Sequence, residues 1–199
     1  MRLNASPPLL LSNREGKEAK LKDFIAQDLT ARKEDGAHDG APARYTVIAR
    51  TPDSIVAQVV RAAAPEILAA GIAITVVLFE SEASFEEIPQ VASLIDVAGV
   101  ECRFLRDQRF AAAHEQLVLN TSRVWIGDCM RRDPSKRDAF ELFHADNQPA
   151  ALHASLSFNR LWALAKPVQR VAGASSIAPG FLLAGETEQP AERPAAGRR

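Results

Sequence analysis

The chain has 199 residues, enough for one ordinary domain with loose ends. Its 24 basic and 25 acidic side chains give a formal net charge of −1. That balance disfavours nucleic-acid or membrane binding by bulk charge and leaves room only for a local basic patch. The apolar share of 47% and charged share of 25% are those of a globular protein. A folded middle of about 125 residues buries roughly two-thirds of its unfolded surface without staples. The two cysteines, Cys102 and Cys129, are far apart and in no metal-like spacing, which predicts free thiols in a cytoplasmic protein. Pro7-Pro8 and Leu9–Leu11 precede the charged run Arg14–Lys22, the reverse of a secretory signal. The longest apolar run elsewhere, Ile72–Phe79, has strand length, so no membrane insertion is expected.

Three zones follow in chain order. Residues 1–43 end in a Gly-, Asp- and Pro-containing stretch too polar to order itself and are expected to be flexible. Within them Leu21, Phe24, Ile25 and Leu29 recur at helical spacing and predict a short helix over Lys17–Leu29. That helix is either a dock, on its own domain or on a partner, or a transient turn in a tail. Tyr45–Ala49 reads as a buried strand, and Thr51 as the cap of a helix with Pro52 in its first turn. Its apolar face runs from Ile55 to Leu68, past a kink at Pro65, and stops at Gly71. Strand Ile72–Phe79, helix Phe85–Ala98 and strand Val100–Leu105 come next. Gln116–Asn120 and Arg123–Gly127 read as two strands joined by a tight turn, and Phe140–Phe143 as another. Asn147, Gln148 and Pro149 open a helix carrying Leu152, Leu156, Leu161, Trp162 and Ala165 inward, stopped by Pro167. Residues 168–199, rich in Ala, Gly, Pro and Arg, read as a low-complexity, disordered tail whose Ile177–Leu183 patch touches the fold. The alternation predicts an α/β domain over 44–167, with a mixed, mostly parallel sheet flanked by helices.

Among the four histidines, His114 stands immediately before a buried strand, a common place for a working side chain in an open α/β sheet. A histidine at a strand edge is more often structural. The chain has no glycine-rich phosphate loop and no nucleophile elbow, and its histidines and cysteines show no metal-ligand spacing. No cofactor or metal is therefore expected. The stretch Asp128–Asp138 interleaves Arg131, Arg132, Lys136 and Arg137 with Asp128, Asp133 and Asp138. It is either a solvated loop whose charges satisfy one another or a bidentate arginine site for phosphate or carboxylate.

From Ile55 to Trp162 the sequence resembles one half of a phospholipase D-like domain. Gly99-Val100-Glu101-Cys102-Arg103 is similar to the strand that precedes that superfamily's catalytic element. The element itself reads His-x-Lys, four residues, Asp, six residues, then Gly-Ser-x-Asn. This chain has His114-Glu115-Gln116, Asn120 one position early, and Gly127-Asp128-Cys129-Met130. Asp138–Phe143 and Phe158-Asn159-Arg160-Leu161-Trp162 resemble the strand and helix that close the half.

The resemblance implies that His114 attacks phosphorus, that a second histidine protonates the leaving group, and that a lysine neutralises the phosphate oxygens. Gln116 brings no charge, Asn120 is no carboxylate, and Asp128 puts a negative charge where the family has a small hydroxyl. Arg131 or Arg132 is left as a surrogate cation. The implied function is a degenerate, non-catalytic module that binds an anionic ligand or a protein and regulates. Two rivals stand beside it. One is a phosphodiesterase or nuclease working as a homodimer, with His114 of each copy near the two-fold axis. The other is a scaffold whose N-terminal helix docks a partner.

Overall fold

The apolar run after Arg44 forms the middle of a seven-stranded sheet. The computed structural model describes residues 14–34, 43–79, 99–130 and 141–167. Strands β1 (Arg44–Ala49), β2 (Ala73–Phe79) and β3 (Val100–Leu105) lie side by side and parallel. They are covered on both faces, so their sequences are nearly continuous apolar runs. Helix α2 (Ile55–Ala69) crosses from β1 to β2, and Gly71, at φ +74°, takes the left-handed turn that follows it. The expected helix Phe85–Ala98 lies outside the described residues.

Helix α2 starts later than its sequence suggests. Its N-cap is Ser54, not Thr51, and Pro52 stands ahead of the helix. The Ser54 hydroxyl accepts the Thr51 N–H (3.1 Å), so no side chain caps the first turn. Pro65 lies inside the helix, which continues through it to Ala69.

Strands β4 (His114–Val118) and β5 (Val124–Cys129) form the expected hairpin, with β4 beginning two residues before Gln116. β4 runs antiparallel beside β1, β6 (Leu142–His144) beside β5, and β7 (Lys166–Pro167) beside β3. The order is β6-β5-β4-β1-β2-β3-β7. The sheet is mixed, as expected, but its balance differs: two ladders are parallel and four antiparallel among the described residues. Hairpins and short returning strands need no helical crossover, so the second half of the chain adds antiparallel pairs.

Helix α1 (Arg14–Glu34) exceeds the expected Lys17–Leu29 segment at both ends. Leu21, Phe24, Ile25 and Leu29 are all buried, in one core with Tyr45, Val47, Ile74, Val76, Leu117, Trp125 and the apolar face of α2. The apolar face that would dock a partner is thus packed on the chain's own sheet. Helix α3 (Gln148–Leu164) covers the other face, where Phe158 and Leu161 meet Ile48, Val77, Phe79 and Leu105. Alternation along β1 explains the division, since Val47 points to one layer and Ile48 to the other.

Asn147 caps α3 as expected, its Oδ1 accepting the Ala150 N–H at 3.0 Å. The inward face differs from the expected one: Leu152 and Leu156 are 61% and 55% exposed, and Ala151, Ala154, Phe158 and Leu161 take the buried side. Alanines let the helix lie close to the strands, which rotates the longer leucines outward.

Candidate functional site

Because β4 is antiparallel to β1, its first residue, His114, stands at the carboxyl ends of the parallel strands. Ligands of open α/β sheets gather at such an edge. Pairing places His114 opposite Cys129 and Gln116 opposite Ile126, so two steps along β4 match three along β5. This bulge falls at Gly127 and Asp128 and re-aims the edge, as bulges beside working sites do. The Gly127 carbonyl accepts from His114 Nδ1 at 2.7 Å. A carbonyl only accepts, so the proton sits on Nδ1 and, in the neutral ring, Nε2 carries the lone pair. Residue 127 has to be glycine: a Cβ there would lie 2.4 Å from Trp125 Cη2, and that indole is fully buried.

Arg50 follows β1 directly and shares this edge. Its backbone N–H donates to Glu115 Oε1 (3.0 Å) and its Nη1 donates to the Met130 carbonyl (2.6 Å). Met130 is in turn tied by its N–H to the Ala113 carbonyl (3.0 Å). The guanidinium is therefore anchored one residue beyond Cys129, which faces His114, and makes no ion pair among the described residues. Just past Arg50, the first turn of α2 has neither a side-chain cap nor an acidic residue. Among the described residues four carboxylates lie within seven positions of Arg50, His114 or Gly127: Asp53, Asp107, Glu115 and, in the bulge itself, Asp128. Glu115 is buried on the Arg50 N–H, Asp53 is exposed, and Asp107 is held by Arg109, whose hydrogen bonds keep it below the usual carboxylate range. Cys129, half-buried, donates its thiol to the Ala112 carbonyl (3.3 Å).

The other residues singled out in the sequence have partners of their own or lie outside the described residues. Gln116 is buried and donates Nε2 to the Ala154 carbonyl at 2.8 Å, pinning α3 to the sheet. Asn120 lies at the far end of the hairpin, about 20 Å from His114 by strand rise. Its Oδ1 accepts the N–H groups of Ser122 and Arg123, both at 2.8 Å, and shapes the turn. Asp128 is 1% exposed on β5. Arg131 and Arg132 lie outside the described residues.

Asn120 belongs to a second polar cluster, at the amino end of β1. There Asp28 of α1 accepts from Tyr45 Oη (2.7 Å), Arg32 Nε (2.7 Å) and Asn120 Nδ2 (2.5 Å). Arg32 Nη2 also donates to the Leu119 carbonyl (3.0 Å). Burial, reinforced by the Asp28 carboxylate, pushes the Tyr45 hydroxyl far above its ordinary range.

Arg50 and Glu115 are the edge residues that sequence reasoning missed. The available signal was positional: Arg50 is the first polar residue after the central strand's apolar run, at its carboxyl end. Among the described residues, no group of three or more His, Cys, Asp or Glu side chains is arranged to hold a metal ion. No described helix is long and apolar enough to cross a membrane. The Cys102 thiol is buried, and burial pushes it up to about 12.

No protein-family profile and no curated protein matches the chain by sequence. Among solved structures it is similar to TrmBL2, an archaeal chromatin protein with a novel mode of DNA binding, at a TM-score of 0.48 and 12% identity. That match covers 74% of this chain and 52% of TrmBL2, so the chain spans about half that protein's length. It is also similar to Nuc of Salmonella typhimurium, a phospholipase D family member, at a TM-score of 0.45 and 12% identity. Here the match covers 73% of this chain and 90% of Nuc.

Proposed function

We propose that the chain is a phospholipase D-like half-domain that binds an anionic ligand at the His114 edge and does not turn over phosphodiesters. What supports the non-catalytic part is the use made of Gln116 and Asn120. These residues stand where the resemblance expects a lysine and, one position on, an aspartate. One is buried on an α3 carbonyl and the other holds a turn at the opposite end of the sheet. A missing charge at a phosphoryl-transfer site removes on the order of 3 kcal/mol of transition-state stabilisation.

One observation favours the catalytic reading. The bond from His114 Nδ1 to Gly127 sets the tautomer in which Nε2, the nitrogen that would attack phosphorus, carries the neutral ring's lone pair. In that reading two copies pair about a two-fold axis, because one half supplies one histidine of the two the chemistry requires. The docking-helix reading has the least support, since the apolar face of α1 is buried in its own core.

The test is the solution mass of the full chain and, on the same sample, hydrolysis of bis-p-nitrophenyl phosphate with inorganic phosphate binding measured alongside. The expected result is no turnover above background and a phosphate affinity that falls in His114→Ala. A dimer that hydrolyses the diester, and stops when His114 becomes alanine, would overturn the non-catalytic reading.

A further inference from the structure

We propose that Arg50 is the anion-recognising side chain of the His114 edge and that its ligand carries a phosphate group, taken side-on by the guanidinium. The inference rests on the anion-binding reading above and adds a residue and a geometry to it. Met130 accepts from Nη1, which leaves Nε and Nη2. These two nitrogens carry the parallel N–H pair that matches two oxygens of a phosphate or carboxylate. They make no hydrogen bond among the described residues, and Arg50 is only partly buried. The charge has no carboxylate partner within salt-bridge distance among the described residues. Glu115 takes the Arg50 backbone N–H rather than the guanidinium, and so fixes where β1 ends without neutralising the side chain.

Two further features of the edge suit an anion. The uncapped first turn of α2, four residues on, presents the positive end of the helix dipole. His114, fixed at Nδ1 by the Gly127 carbonyl, is a second nitrogen-bearing side chain at the same edge. Phosphate is favoured over carboxylate because it offers a third oxygen to the uncapped first turn of α2 while the guanidinium holds two. Arg50 thus supplies from the end of β1 the positive charge that Gln116 lacks.

The test titrates inorganic phosphate at low ionic strength into the full wild-type chain. The Arg50 Nε–H and His114 ring resonances are followed by NMR, and dissociation constants are measured for Arg50→Gln, Arg50→Lys, His114→Ala and Lys33→Gln. The expected result is that phosphate shifts both resonances in the wild type. Arg50→Gln weakens binding at least tenfold, Arg50→Lys recovers part of the loss, and Lys33→Gln, on the last turn of α1, stays within twofold. If Arg50→Gln binds as the wild type does while His114→Ala does not, Arg50 is excluded and the anion-binding reading stands. A wild-type chain that binds no phosphate ends both. Should Arg50→Gln fail to fold, the wild-type spectrum decides, and shifts that bypass Arg50 overturn the assignment.

Discussion

At the amino end of β1, polar side chains close on one another; at the carboxyl end, they rest on the backbone. Asp28 receives a phenol, a guanidinium and an amide, and with them fastens α1 to the sheet. At the opposite end Arg50 and His114 are each held by a carbonyl, of Met130 and Gly127 respectively. A neutral acceptor orients a side chain without cancelling its charge or using its whole hydrogen-bonding capacity. The same strands therefore carry a closed, stabilising cluster at one end and, at the other, an arginine whose Nε and Nη2 make no hydrogen bond among the described residues. Asp28 is buried and Arg32 half-buried, and losing the shared carboxylate leaves the other members without their acceptor.

The sharpest way to break the contrast is Asp28→Ala. It leaves the Arg32 guanidinium and the Tyr45 hydroxyl without their acceptor in a buried site, and urea unfolding should show a loss of about 3 kcal/mol or more. Tyr45→Phe removes one hydrogen bond from the same cluster and should cost only about 1 kcal/mol.

Next in size is Gly127→Ala, whose added methyl would meet the buried Trp125 ring. Overpacking of this kind costs about 1–3 kcal/mol. Because the Gly127 carbonyl orients the imidazole, the His114 ring resonances should move as well, which separates this variant from an ordinary core lesion.

The amino-end cluster also has a pH signature. Tyr45 is the chain's one tyrosine, and its folded pKa lies above that of an unfolded tyrosine, about 10. Above pH 10 the folded state keeps a proton that the unfolded chain releases. The Tyr45 contribution is complete below that pH and is lost as pH rises, at about 1.4 kcal/mol per pH unit. The Cys102 thiol, raised by burial to about 12, acts in the same direction above the ordinary thiol range. Absorbance near 295 nm should show tyrosinate appearing only with unfolding, and Tyr45→Phe should flatten the fall in stability. Tyrosinate forming near pH 10 in the folded chain would show that the cluster is open.

The smallest effect is expected at the carboxyl edge. Arg109 and Asp107 pair on the surface, and Arg109→Ala should leave the melting temperature unchanged.

How much of this was legible in the sequence follows the range of the interactions. The strands β1, β2 and β3 were readable because burial on both faces leaves uninterrupted apolar runs, and Asn147 because a cap bonds three residues away. The α1 pattern pointed to a helix, but not to its full length or to the sheet beneath it. Leu152 and Leu156 misled because hydrophobicity ranks leucine above alanine, whereas close helix–sheet packing selects the smaller side chain. His114 stood out by its place before a strand, yet its tautomer depends on a carbonyl thirteen positions later.

Composition, periodicity and local caps by themselves determined that this is an α/β chain, where most of its strands and helices lie, and that a histidine stands just before the fourth predicted strand. Tertiary structure alone decided that Gln116 bonds α3 and Asn120 bonds Asp28 and its own turn, that α1 belongs to the core, and that Arg50 shares an edge with His114. Those outcomes depend on contacts between residues 38, 65, 80 and 92 positions apart. No local pattern encodes such pairings, because they exist only once antiparallel β4 has been laid beside β1.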